Sequence, residues 1–142
     1  MAVFATEDQF SRLSSLIKNS DVNHKQEFLN ELVTVNEAGT PTLQLGTVLG
    51  KVTATGKYKV CVETAVDGSK VPAAIYIGDT TGKVADLTLV AATDTKVLAL
   101  ARGKVIVAKE ALKLDATYND NTKKDVAYAA LKALGILVET SI

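Results

Sequence analysis

The side chains that most often carry enzyme chemistry are scarce in this chain and far apart in sequence. It has one histidine, His24, and one cysteine, Cys61. A nucleophilic relay needs a base beside the nucleophile, and the polar neighbours of His24 favour a surface residue instead. Cys61 lies within a strand pattern, where a free cysteine is usually a small buried hydrophobic residue. One cysteine and one histidine also cannot supply the ligands of a typical zinc site.

The aspartates follow the chemistry of turns and helix caps, because most of them lie beside Gly, Thr, Asn or Lys. Residues 115–121 are rich in oxygen ligands, but they lack the aspartate order and the final glutamate of an EF-hand loop. The glycines form no phosphate-binding motif. We therefore expect no catalytic residues, no metal site and no cofactor. A pocket that gathered Asp79, Asp86 and Asp94 would indicate an enzyme instead.

Composition narrows the class of protein further. The 142 residues suit one domain with one hydrophobic core, and 16 basic residues balance 16 acidic ones. A chain without net charge has no overall field that would attract nucleic acid or anionic lipid. The N-terminus lacks the pattern of a signal peptide, and no apolar stretch is long enough to cross a membrane. We expect a protein made in a reducing cytoplasm that binds neither DNA nor membrane.

The first 41 residues predict an N-terminal helical arm and a hinge. Apolar residues recur there at helical spacing, and Gly39 and Pro41 then end the pattern. These apolar stripes must be buried against the chain's own body or against a partner. The candidate partner-binding residues of the arm are Phe10, Leu13, Ile17, Phe28 and Leu32.

Residues 42–142 predict a β-rich body, because short alternating apolar segments are separated by turn residues. A helix capped by Thr122 and ended by Gly135 is predicted near the C-terminus, followed by a last strand at residues 136–138. The residues expected to form structural turns, bulges and caps are Gly46, Gly50, Gly56, Asp67, Gly68, Gly103, Thr122 and Gly135.

An ordered set of segments in this body resembles a known family. The set comprises Gly46-Thr-Val-Leu-Gly-Lys, the turns at Gly56-Lys57-Tyr58 and Asp67-Gly68, the strand Val97-Leu-Ala-Leu-Ala-Arg-Gly103, and the tail Leu134-Gly-Ile-Leu-Val after the last helix. In this order and spacing they resemble the head decoration proteins of tailed bacteriophages, the family of the lambda capsid-stabilising protein. The first forty or so residues lie outside this resemblance.

The resemblance implies a mainly β body of the β-clip type with one short C-terminal helix. With the helical arm, the whole chain is expected to be α+β. It also implies a homotrimer made in the host bacterial cytoplasm. The homotrimer would bind the major capsid protein on the outer surface of the expanded capsid and stabilise the shell against internal DNA pressure. In that family the arm is usually short and adds a strand to a capsid loop. The helical pattern here favours helix packing instead.

A β-rich virion fibre or carbohydrate-binding module without catalysis is the alternative. Sugar sites usually present aromatic side chains, and this chain has four tyrosines but no tryptophan. The absence of tryptophan therefore weakens the alternative without removing it.

Overall fold

The computed structural model describes residues 17–20, 30–80, 85–102 and 105–140. These residues contain ten β-strands and one α-helix. The elements are β1 (Ile17–Ser20), β2 (Asn30–Val35), β3 (Thr42–Leu43), β4 (Val48–Lys51), β5 (Tyr58–Val60), β6 (Pro72–Asp79), β7 (Leu87–Thr88), β8 (Thr95–Leu100), β9 (Val105–Ala108), a 3-10 turn (Lys109–Ala111), α1 (Asn121–Ala133) and β10 (Ile136–Glu139). The mainly β class with a C-terminal helix, predicted from the sequence, is confirmed for these residues.

Five of the strands close into a barrel in the order β2-β5-β4-β6-β8. Its neighbouring strands are antiparallel except β2 and β5, which run parallel and meet at Val35 and Tyr58. The backbone N–H of Asn36 donates to the carbonyl of Tyr58 at 2.9 Å and extends this closure. Closing the barrel removes the exposed sheet edges that an open five-stranded sheet would leave.

The barrel has an aliphatic core with two tyrosines. Successive side chains of a strand point to opposite faces, so alternate residues of each strand enter the interior. The main buried residues of this first core are Val33, Val35, Leu43, Leu49, Tyr58, Ala74, Tyr76, Leu89, Val97 and Ala99.

A second core lies outside the barrel, on the other face of β6 and β8. There Ile75, Ile77 and Leu100 pack with residues of β9, α1 and β10, including Val107, Leu131 and Ile136. The covering sheet has the order β1-β9-β10, with β1 antiparallel and β10 parallel to β9. β6 is therefore buried on both faces, which explains its almost continuous apolar sequence.

The N-terminal region differs from the sequence prediction. Ile17–Ser20 and Asn30–Val35 are strands, so the predicted helix is wrong at these two segments. β2 pairs with β8 along its whole length, and Val33 and Val35 point into the barrel while Leu32 points to solvent. The predicted boundary at residue 41 would separate β2 from the strands that close the barrel. Residues 1–16 and 21–29 of the predicted arm lie outside the described residues.

The ends of α1 also differ in part from the prediction. The N-cap is Asp120, whose carboxylate accepts a hydrogen bond from the backbone N–H of Lys123 at 2.8 Å. Thr122 is already inside the helix, so its predicted capping role is wrong. Both residues have side chains that can cap, but Asp120 has the extended backbone of a cap, and the helix begins at the next residue, Asn121. Gly135 follows the C-cap residue Leu134 and has φ 92°.

We predict that β2 is needed for a stable body. Truncation of the fully buried Val35 to Ala should lower the free energy of unfolding by about 2 kcal/mol, because it leaves a cavity in the barrel core. The matched variant Leu32→Ala removes a side chain that is 53% exposed on the same strand, and should cost less than about 1 kcal/mol. Urea denaturation measures both. Equal costs for the two variants would contradict the position of β2 in the barrel.

Candidate partner-binding surfaces

Two glycines, Gly50 and Gly68, let neighbouring loops of the barrel approach each other closely. Gly50 faces the backbone of Ser69, and a Cβ atom on Gly50 would lie 1.9 Å from the Ser69 carbonyl oxygen. Gly68 has φ 99°, and a Cβ atom there would lie 2.1 Å from the hydroxyl oxygen of Thr53. A side chain at Gly50 would force the Ser69 backbone to move, and one at Gly68 would displace the Thr53 side chain and strain the backbone at its positive φ. The loop from β5 to β6 is therefore packed tightly against the hairpin of β4 and β5.

Asp67 fixes the turn in this loop. Its carboxylate accepts hydrogen bonds from the backbone N–H of Ser69 at 3.0 Å and from the Ser69 hydroxyl at 2.6 Å. Lys59 lies 3.3 Å from the other carboxylate oxygen. The hydrogen bonds from Ser69, helped by Lys59, lower the pKa of Asp67 from 3.8 to about 2. The ionised form of Asp67 is thus the one that holds the turn.

A triangle of hydrogen bonds joins the same loop to the segment before α1. The Tyr118 hydroxyl donates to the Lys70 carbonyl at 2.9 Å, and the Cys61 sulfur lies 3.1 Å from both the Tyr118 hydroxyl and the Lys70 carbonyl oxygen. Burial raises the pKa of both Cys61 and Tyr118, so both groups stay protonated near neutral pH. A buried neutral thiol is a poor nucleophile, and here it has a structural hydrogen-bonding role.

An apolar groove lies above this triangle, between the first turns of α1 and the loop from β5 to β6. Its volume is about 230 Å³, and Pro72, Tyr118 and Ala127 are its buried residues. Val71 and Val126 stand on its two sides with 59% and 64% of their surface exposed. Exposed aliphatic side chains on both sides of a groove are typical of a contact surface. We call this feature the α1 groove. Its lining residues are Glu63, Lys70, Val71, Pro72, Tyr118, Thr122, Lys123, Val126, Ala127 and Ala130.

The other side chains that could ligate a metal do not gather into a metal site in the described part of the chain. There, no group of three or more His, Cys, Asp or Glu side chains could hold a metal ion. Asp94 pairs with Asn36 and Lys57, as expected of a turn carboxylate. His24 lies outside the described residues. Within them, no helix is both long and apolar enough to span a membrane.

A comparison with known families decides among the classes left open by the sequence. The family model of the bacteriophage lambda head decoration protein D matches residues 11–136. The chain belongs to this family. The match shows a structural role in the phage head, as part of the virion capsid. A comparison with curated proteins finds no match.

The family match also corrects one expectation about the decoration protein. The resemblance was expected to begin after the first forty or so residues, but the match begins at residue 11. The reason is visible in the fold, because β1 and β2 both come from this region and both pair with strands of the body. Residues 11–41 therefore belong to the family's shared sequence.

The predicted site residues of the decoration protein lie in separate places. Leu32 is exposed on the outer face of β2, and Ile17 begins β1. Phe10, Leu13, Phe28 and Gly103 lie outside the described residues. Gly46 and Gly56 have positive φ in turns, as Gly68 does.

Sequence reasoning did not single out Val71 or Val126. Val126 breaks the polar outer face of α1, and this was the one local signal that could have pointed to the groove.

We predict that the Tyr118 hydroxyl stabilises the decoration protein. Tyr118→Phe should lower the free energy of unfolding by about 1–2 kcal/mol, because it removes the donor to the Lys70 carbonyl and a hydrogen-bond partner of the Cys61 thiol. Tyr128→Phe is the matched control, since the ring of Tyr128 would still lie under the Lys109 ammonium group. Denaturant unfolding measures both variants. A cost for Tyr118→Phe no larger than that of the control would contradict the role of the triangle.

We also predict a pH dependence at Asp67. Its folded pKa of about 2 lies below the ordinary 3.8, so its contribution to stability is fully present above about pH 4 and is lost as the pH falls through 2. The melting temperature of wild type should therefore exceed that of Asp67→Asn above pH 4, and the difference should vanish by about pH 2. A difference that stays constant from pH 6 to pH 2 would show that the charge of Asp67 has no role in the turn.

Proposed function

We propose that this decoration protein binds the outer surface of the expanded capsid as a homotrimer and stabilises the shell against the pressure of packaged DNA. Its partner is the major capsid protein of a tailed phage. The match of residues 11–136 to the head decoration family is the observation that carries the proposal. The balanced charge of the chain supports a position on the outside of the shell, where no contact with DNA is required.

The proposed mechanism is thermodynamic linkage. A protein that binds the assembled lattice, but not free capsid subunits, stabilises the lattice by its binding free energy. A trimer that contacts several capsid subunits binds through several sites at once, so its release requires several contacts to break together. No chemical step is needed, and the protein acts by occupying its site.

Two features of the fold support this mechanism. The first is the pair of cores that share β6 and β8, because a body packed on both sides of the same strands resists deformation when load passes through it. The second is a set of exposed apolar side chains at three places on the surface: Leu32 on β2, Val90 in the loop before β8, and the pair Val71 and Val126 on the α1 groove. Several small contact points suit a protein with more than one neighbour. Head-to-tail contacts between copies would close into a threefold ring.

We predict that the protein stabilises expanded shells that lack it. Added to such shells, it should bind at symmetric, saturable sites and raise the temperature at which the shells open. Unexpanded precursor shells should bind at least tenfold more weakly, because the site spans subunits whose spacing changes on expansion. Cryo-electron microscopy and shell melting measure these effects, and light scattering should show a trimer in solution. Virions without density for this chain on the outer surface would refute the proposal.

A further inference from the structure

The loop between β7 and β8 presents three consecutive apolar residues to solvent. Val90, Ala91 and Ala92 are all exposed, and Val90 exposes 63% of its surface. We call these three residues the 90–92 tip. Leu89, directly before the tip, is buried in the barrel core and anchors the loop there. The tip is therefore an exposed apolar segment next to a buried anchor residue.

Hydrogen bonds hold the 90–92 tip in one conformation. The backbone N–H of Ala92 donates to the Glu37 carbonyl at 2.7 Å, and that of Thr93 donates to the Val90 carbonyl at 3.3 Å. Directly after the tip, the Asp94 carboxylate accepts a hydrogen bond from the Asn36 amide at 2.7 Å and pairs with Lys57 at 2.9 Å. The loop is thus tied to two other loops at the same end of the barrel. Such a brace lowers the entropy that the tip would lose on binding a partner.

The backbone of Ala92 is strained. Its φ is 53°, the only positive value among the non-glycine residues that the structure describes. An alanine in this region has a higher free energy than a glycine would, because its Cβ crowds the backbone. Strained residues that the surrounding structure holds in place are concentrated at binding sites. Strain, exposure of apolar surface and a rigid brace therefore coincide at one loop.

We propose that the 90–92 tip inserts into a shallow apolar depression on the outer face of the capsid lattice, lined by aliphatic side chains of the major capsid protein. This inference rests on the proposed function. A second copy of this chain is a poorer fit, because three small side chains offer far less than the roughly 800 Å² per partner of a stable specific interface. One weak contact repeated across a lattice suffices, since the contacts of each trimer add up.

The test compares three full-length variants in binding to expanded shells. Val90→Asp places a charge on the tip and should weaken binding at least tenfold, while its melting temperature stays within about 2 °C of wild type because the side chain is exposed. Val66→Asp makes the same change at a valine that is 99% exposed in another loop, and should bind within about twofold of wild type. Sedimentation of shells with bound protein gives the affinities.

Ala92→Gly separates a binding role from a purely structural one. Glycine relieves the strain, so the variant should melt about 3 °C higher than wild type. It should nevertheless bind shells about threefold more weakly, because a glycine loop loses more freedom on binding. A structural role alone would not move stability and binding in opposite directions.

Three outcomes overturn the inference about the tip. They are binding of Val90→Asp within twofold of wild type, an equal loss of binding for Val66→Asp, and undiminished binding of Ala92→Gly. Failure of wild type itself to bind expanded shells would overturn the proposed function, and the inference with it.

Discussion

The fold depends on the burial of β6 and β8 on both faces. Along β6, Ala74 and Tyr76 enter the barrel while Ile75 and Ile77 enter the second core. A strand has a period of two, so a shift of register by one residue would exchange the contents of the two cores. Tyr76 would then have to fit among the side chains of β9 and β10, where a smaller aliphatic residue now packs. Register at this strand therefore fixes the barrel, the covering sheet and the position of α1 together.

The sequence predicts those elements whose own apolar residues recur with a clear strand or helix period. The sequence pattern predicts strands at residues 73–77 and 96–101, close to the observed β6 and β8, and it also predicts the last helix. β2 has no clear signal of this kind, because Leu29, Leu32 and Val33 fit a helical stripe as well as a strand. What decides in favour of a strand is pairing with β8, sixty to seventy residues away, and no local pattern reports such a distant partner. The N-cap was misplaced for a similar reason, since Asp120 and Thr122 are both able to cap.

The candidate contact surfaces were less predictable than the fold. A valine in a β-rich sequence is normally read as core, and most valines here are. Val71 lies directly before β6 and Val126 on the outer face of α1, and only the packing of α1 against the loop from β5 to β6 brings them to one groove. Exposure of Val90 likewise depends on the brace from Glu37 and Asn36, which lie more than fifty residues earlier. Such surfaces arise from tertiary contacts, so they appear only when the fold is known.

The loops of this protein are held in place by a tightly packed body, and this arrangement suits a small protein that reinforces a shell. The buried strands and the triangle of Cys61, Tyr118 and Lys70 hold the loops in place. A loop that is already ordered loses little entropy on binding, so even a small apolar contact keeps most of its free energy. Load that reaches such a loop passes into packed strands, whose core deforms little. The same core packing that makes the body stable would thus let several weak contacts act together, which is what linkage to an assembled lattice requires.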